Sequence, residues 1–279
     1  VAATRQRGQR NFHRLDSLIR AVIDRCRGML QLSTASLMTL LVIAGCTDKT
    51  DVPPRPTPNA SPAAERSTRW IASPALNLMS PEGTFVRAFV ESMDAATGSA
   101  EHRGTDAFLN DGYPGFLHAF NNVLSTETYG GNEPDLGRWG AGTYYYEVVD
   151  LRHEGTNITA GICKYISMLA WRPGGGDMYR SAGSAAFGQG RWLTFGPDPA
   201  ISADQQRSPK VEQRGPATKP NDNVFGTWIA TKFDYAGWAI PQCKRLAPGT
   251  PPDWPDPFVR PDPPPTLPPD PGWPGQPDV

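Results

Sequence analysis

Apolar positions recur every three or four residues in the first part of the central region and give way to alternation in the second. Phe85, Val86, Phe89, Val90 and Met93 make a stripe of this kind, which predicts an amphipathic helix. Ser80-Pro81 supplies a capping residue followed by a proline suited to the first helical turn, and Gly98 supplies the stop. Tyr113-Pro114 starts a second helical pattern, with Phe116, Leu117, Phe120, Val123 and Leu124 on one face, and residues 106–110 fit a short helical turn between the two. After Gly142 the character changes. Residues 143–152 are rich in tyrosine and valine, and 158–169 are rich in isoleucine; both favour strands, with His153-Glu154-Gly155-Thr156-Asn157 as a hairpin connection. Residues 192–195 predict a short strand, and 224–233 with 238–244 predict a further pair joined through 234–237. The expected fold class is therefore α+β, with N-terminal helices packed on a mostly antiparallel sheet in a single domain over residues 68–247.

Composition limits how much more of the chain folds this way. Thirty prolines and 28 glycines in 279 residues concentrate in stretches hostile to helices and central strands. Residues 46–67 read as a flexible linker. Residues 248–279 carry 14 prolines, five aspartates and one arginine, interrupted by Trp254, Phe258, Leu267 and Trp273. That spacing predicts a disordered proline-rich tail, either solvated or acting as a docking arm, with folding back of its few apolar side chains over the domain as a further alternative. Residues 172–177 and 197–223 are poor in core residues, and the second reads as a disordered insertion or a lid-like loop. The net charge of −1 gives no electrostatic case for a nucleic-acid partner.

The N-terminus has its own organisation. Seven arginines precede Met29, and residues 29–45 are mostly apolar, strongest over 37–44. That core is shorter than the roughly 20 residues a permanent span requires; with its basic flank it predicts a signal peptide over residues 1–45, and a buried core helix is the rival reading. Val1 stands where methionine is usual, which points to an alternative start codon or to a true start downstream, at Met29. Val42-Ile43-Ala44-Gly45-Cys46 resembles the lipobox of bacterial lipoproteins. The resemblance implies lipidation of Cys46, a cell-membrane location on the extracytoplasmic face, and the membrane itself as a partner through acyl chains. If Cys26 leaves with the leader and Cys46 is acylated, Cys163 and Cys243 remain, and an exported domain with two cysteines predicts one disulfide between them.

Recognisable chemistry is sparse. HExxH, CxxC, the P-loop and the GxSxG elbow are all missing from the sequence, so no metal, no cofactor and no catalytic residue is assigned. Glu147 and Asp150 sit three apart on a predicted strand and face opposite ways unless a bulge intervenes. Tyr144, Tyr146, Trp228 and Trp238 are candidate ligand-lining aromatics, with core packing as the alternative. A helical pair before a sheet is similar in element order to NTF2-like or cystatin-like domains, a likeness that implies a ligand cavity. The expected function is a membrane-anchored envelope lipoprotein with a binding or structural role toward an envelope protein, glycan or lipid. A hydrolase acting on envelope material and a carrier of a lipid or small apolar ligand are the alternatives.

Overall fold

The computed structural model describes residues 66–181, 188–237, 239–254 and 258–275. The segment expected to be a signal peptide, Cys46 and most of the expected linker lie outside them. Among the described residues, five helices and an eight-stranded, mostly antiparallel sheet make an α+β domain. The main helix, α1 (Pro81–Thr97), begins as its sequence predicts: Ser80 accepts from the Gly83 amide and Pro81 opens the first turn. Helices α2 (Gly104–Asn110), α3 (Phe116–Phe120), α4 (Thr126–Tyr129) and α5 (Pro134–Trp139) follow as short pieces.

The sheet contains β1 (Arg66–Ile71), β2 (Gly140–Glu154), β3 (Asn157–Tyr165), β4 (Leu169–Trp171), β5 (Tyr179–Ser181), β6 (Gln189–Pro197), β7 (Trp228–Gly237) and β8 (Val259–Arg260). Long β2 organises it, with β1 parallel along one edge and β3 antiparallel along the other, where β4 continues β3 beyond a short break. Outward from there, β6 pairs β3, β7 pairs β6, β5 pairs β4 and β8 pairs β5. Period-2 alternation then sorts the side chains. Tyr144, Tyr146 and Val148 of β2, Ile158, Ala160 and Ile162 of β3, and Leu193 and Phe195 of β6 join the core beneath α1. Tyr145, Cys163 and Tyr165 join a smaller cluster with Ile240 and Cys243, where the predicted Cys163–Cys243 disulfide is formed with Cα atoms 5.1 Å apart.

Several expectations are corrected. β1 begins at Arg66, inside the stretch assigned to the linker. Residues 239–244, the described part of the predicted 238–244 strand, do not pair with β7: Pro241–Cys243 form a 3-10 turn, and β7 pairs with β6 instead, since proline supplies no ladder donor. The 197–223 connection is neither a lid nor an open insertion. It is fastened by backbone bonds from Lys210 to Val224 and from Glu212 to Met79, and Ala217 is buried against Trp273.

The largest correction concerns the tail. Residues 258–275 pack on the domain, with Phe258 buried and Trp273 only 1% exposed. Prolines lack amide donors but keep carbonyl acceptors, and the domain supplies the donors: Arg69 to Pro268, Thr143 to Pro265, and Arg87 to Pro271 and Gly272. Where an amide remains, it is used. Trp70 N–H donates to the Asp270 carbonyl, and Asp270 N–H donates to Thr68. The tail thus covers the outer edge of β1 with a segment that cannot propagate a sheet, which is how edge strands are protected from further pairing.

Candidate functional site

Two groups of buried charge lie along α1, because Arg87, Glu91 and Asp94 share one stripe at spacings of four and three residues. The first group is held by short contacts, although Glu91 and Tyr113 also line a second cavity of about 510 Å³ beside β1. Glu91 accepts from Trp70 Nε1 at 2.6 Å, Tyr113 Oη at 2.7 Å and Trp273 Nε1 at 2.7 Å. Arg87 donates to the carbonyls of Gln213, Pro271 and Gly272 at 2.7–2.9 Å and stacks on Trp273, 4.3 Å from the ring centre. Burial raises the Glu91 carboxyl above its ordinary range, against the opposing pull of Arg87 and the three donors, and burial lowers the Arg87 guanidinium.

The second group opens onto a cleft. Asp94 receives Lys164 Nζ at 2.9 Å, Arg191 Nη1 at 3.4 Å and a short hydrogen bond from the Tyr146 hydroxyl. Lys164 and Arg191 occupy inward positions of β3 and β6, continuing the alternation of Ile158, Ala160 and Ile162 and of Leu193 and Phe195. Lys164 is 7% exposed and Arg191 4%. Burial pushes the Asp94 carboxyl up, but Lys164 and Arg191 together outweigh it and hold it below the usual carboxylate range. Burial lowers the Lys164 amine to about 8 despite Asp94, and it raises the Tyr144 phenol to about 12. Lys164 Nζ sits 4.2 Å from the Tyr144 ring centre, a cation–π contact that favours its charged form.

The cleft has a volume of about 500 Å³, in the range of small-molecule sites. Lys164, Arg191 and Tyr144 meet apolar Leu136, Ile166 and Leu169, while Tyr129 and Tyr235 stack at 5.8 Å with planes 19° apart. Its α4–α5 side is fixed by the end of α1: Gly131 and Glu133 amides donate to the carbonyls of Ala96 and Thr97. Gly137 approaches so closely that a Cβ there would lie 1.5 Å from the Gly98 carbonyl oxygen, so only glycine fits. Arg191 is under-satisfied. Among the described residues its guanidinium makes one hydrogen bond, at 3.4 Å, and its buried Nε has no partner.

Of the four aromatics singled out in sequence, Tyr144 lines the cleft and Tyr146 reaches Asp94. Trp228 does not; it packs in the core beside Phe85 and Phe195, and Trp238 lies outside the described residues. A bulge between Val148 and Asp150 sets Glu147 and Asp150 opposite Cys163 and Gly161, hence on one face. Each has its own arginine, Arg245 for Glu147 and Arg152 for Asp150, and Glu147 also accepts from Tyr165. Sequence reasoning missed Asp94, Lys164, Arg191, Tyr129 and Tyr235. The available signal was a cation at an inward position of two otherwise apolar alternations. Among the described residues no group of three or more His, Cys, Asp or Glu is placed to hold a metal. The chain matches no protein-family model, no curated protein and no solved structure.

Proposed function

We propose that this is an extracytoplasmic binding protein, tethered to the cell membrane by lipid on Cys46, whose cleft at the C-terminal end of α1 captures a small ligand. The observation that carries the binding role is Arg191, a buried cation lining the cleft with most of its N–H donors unused. A ligand carrying acceptors would meet the terminal Nη donors of the guanidinium, whereas the unpartnered Nε is sealed from solvent. The Cys163–Cys243 disulfide supports the compartment, since such bonds persist outside the reducing cytoplasm. Binding is favoured over hydrolysis because Asp94 is already engaged by two cations and a phenol, leaving it a poor proton acceptor.

A thermal-shift screen of carboxylates, phosphates and neutral sugars tests the cleft against Thr97→Trp, which fills it from α1. Compounds that raise the melting temperature of the natural chain and leave Thr97→Trp unmoved are expected; no such compound in any class contradicts the reading. For the tether, Cys46→Ser is expected to move the protein from the membrane to the soluble fraction, and unchanged fractionation contradicts it.

A further inference from the structure

Resting on the binding role of this cleft, we infer that its ligand is an aromatic monocarboxylate, with the carboxylate on Arg191 and the ring against Tyr235. Charge sets the first half of that assignment. Lys164 and Arg191 contribute +2 and Asp94 contributes −1, so the buried cluster carries +1; Glu133 lines the same cleft but is exposed, where solvent screens it. One added negative charge neutralises the cluster, whereas a phosphate dianion leaves a buried excess of −1, which is costly without further cations. Guanidinium geometry points the same way, because its planar fork matches a carboxylate with two parallel bonds. Arg191 has the donors to spare, with only Asp94 as hydrogen-bond partner among the described residues.

The ring assignment comes from what adjoins the guanidinium. The Tyr235 ring centre lies 5.4 Å from Arg191 Cζ, and Tyr235 is 47% exposed. Because Tyr235 already stacks on Tyr129 and lies under Arg191, a ring held by its carboxylate on Arg191 meets the exposed edge of Tyr235 in an edge-to-face contact. Leu136 and Ile166 supply apolar contact within the same cleft.

Isothermal titration of the full chain with benzoate, benzamide, acetate and inorganic phosphate tests this. Benzoate is expected to fill one site per chain, with benzamide weaker by roughly tenfold or more, the range for losing a charged hydrogen bond. Arg191→Gln should weaken benzoate by roughly 10- to 100-fold. Tyr235→Ala, at a half-exposed position, should weaken benzoate while leaving acetate unchanged. Benzamide binding as tightly as benzoate, or benzoate indifferent to both variants, overturns the inference. Phosphate binding in place of benzoate, and lost in Arg191→Gln, overturns the carboxylate class but leaves the binding role standing. Silence from all four probes together with a negative thermal-shift screen removes both.

Discussion

Arg87 with Glu91, and Asp94 with Lys164 and Arg191, bury charge on the same stripe of one helix, and the two groups resolve it in opposite ways. Around Glu91 the partners are neutral donors, two indoles and a phenol, and around Arg87 they are backbone carbonyls. Those contacts are short and draw in the tail and the 197–223 connection, so the group behaves as a clasp. Around Asp94 the partners are two cations, and the cluster is left with surplus charge and surplus donors facing a cleft. The carboxyls record the difference: burial wins at Glu91, which is raised, and the cations win at Asp94, which is lowered. Arg87 Nε and Arg191 Nε alike have no partner among the described residues, so what separates the groups is the surplus positive charge around Asp94, which a ligand can answer, against the short contacts to neutral donors and carbonyls around Glu91 and Arg87.

Removing residues 258–279 breaks the group around Arg87 and Glu91. Trp273 alone is a fully buried side chain, whose loss costs about 3–5 kcal/mol, and Arg87 also loses two of its carbonyls. Urea unfolding is expected to show a loss of about 5 kcal/mol or more, and a change under about 1 kcal/mol would return the tail to the status of a loose extension.

Asp94→Asn is expected to cost about 3–5 kcal/mol, because Lys164 and Arg191 then face each other without a counter-charge. Added benzoate should restore part of that loss. Glu91→Gln leaves the Arg191 cleft intact, so benzoate should stabilise it only by as much as it stabilises the natural chain; recovery in Asp94→Asn no larger than that would erase the distinction between the groups.

A smaller, graded effect comes from pH. Asp94, Arg191, Tyr144, Tyr146 and Glu133 surround Lys164, and its amine is lowered from 10.5 to about 8. Between those values the unfolded chain holds the proton that the folded one has released, so this group's contribution to stability rises with pH across that window. Anion affinity moves the other way, falling as pH climbs through about 8 and the cluster loses a charge. In Lys164→Met the fall across that step should vanish; a step that persists in the variant would assign the titration to another group.

Much of the fold was legible. The Ser80-Pro81 start, the stripe of Phe85 and Phe89, and the alternations of β2 and β3 are local signals, and the disulfide followed from there being two cysteines left to pair. The charged stripe of α1 was not, because Arg87, Glu91 and Asp94 opposite an apolar face look like the solvent side of an amphipathic helix. Arg87 and Glu91 are covered by Trp273, more than 180 residues away from Arg87, and Asp94 by Lys164, Arg191 and Tyr146. Proline density hid that contact, since prolines signal the lack of amide donors but not the presence of acceptors for arginine. In the candidate site, Tyr144 and Tyr146 were found by aromatic content, whereas Lys164 and Arg191 required strand phase. Tyr129 lies on a four-residue helix with no periodicity to announce it.

The most direct measurement is the side-chain Nε–H resonance of Arg191 alongside that of Arg87, followed by nitrogen-15 NMR while benzoate is added to the full chain. Both nitrogens are buried without partners among the described residues, but only Arg191 lines the cleft. The account predicts a saturable shift at Arg191 and none at Arg87. A stationary Arg191 signal, or equal movement of both, would contradict it.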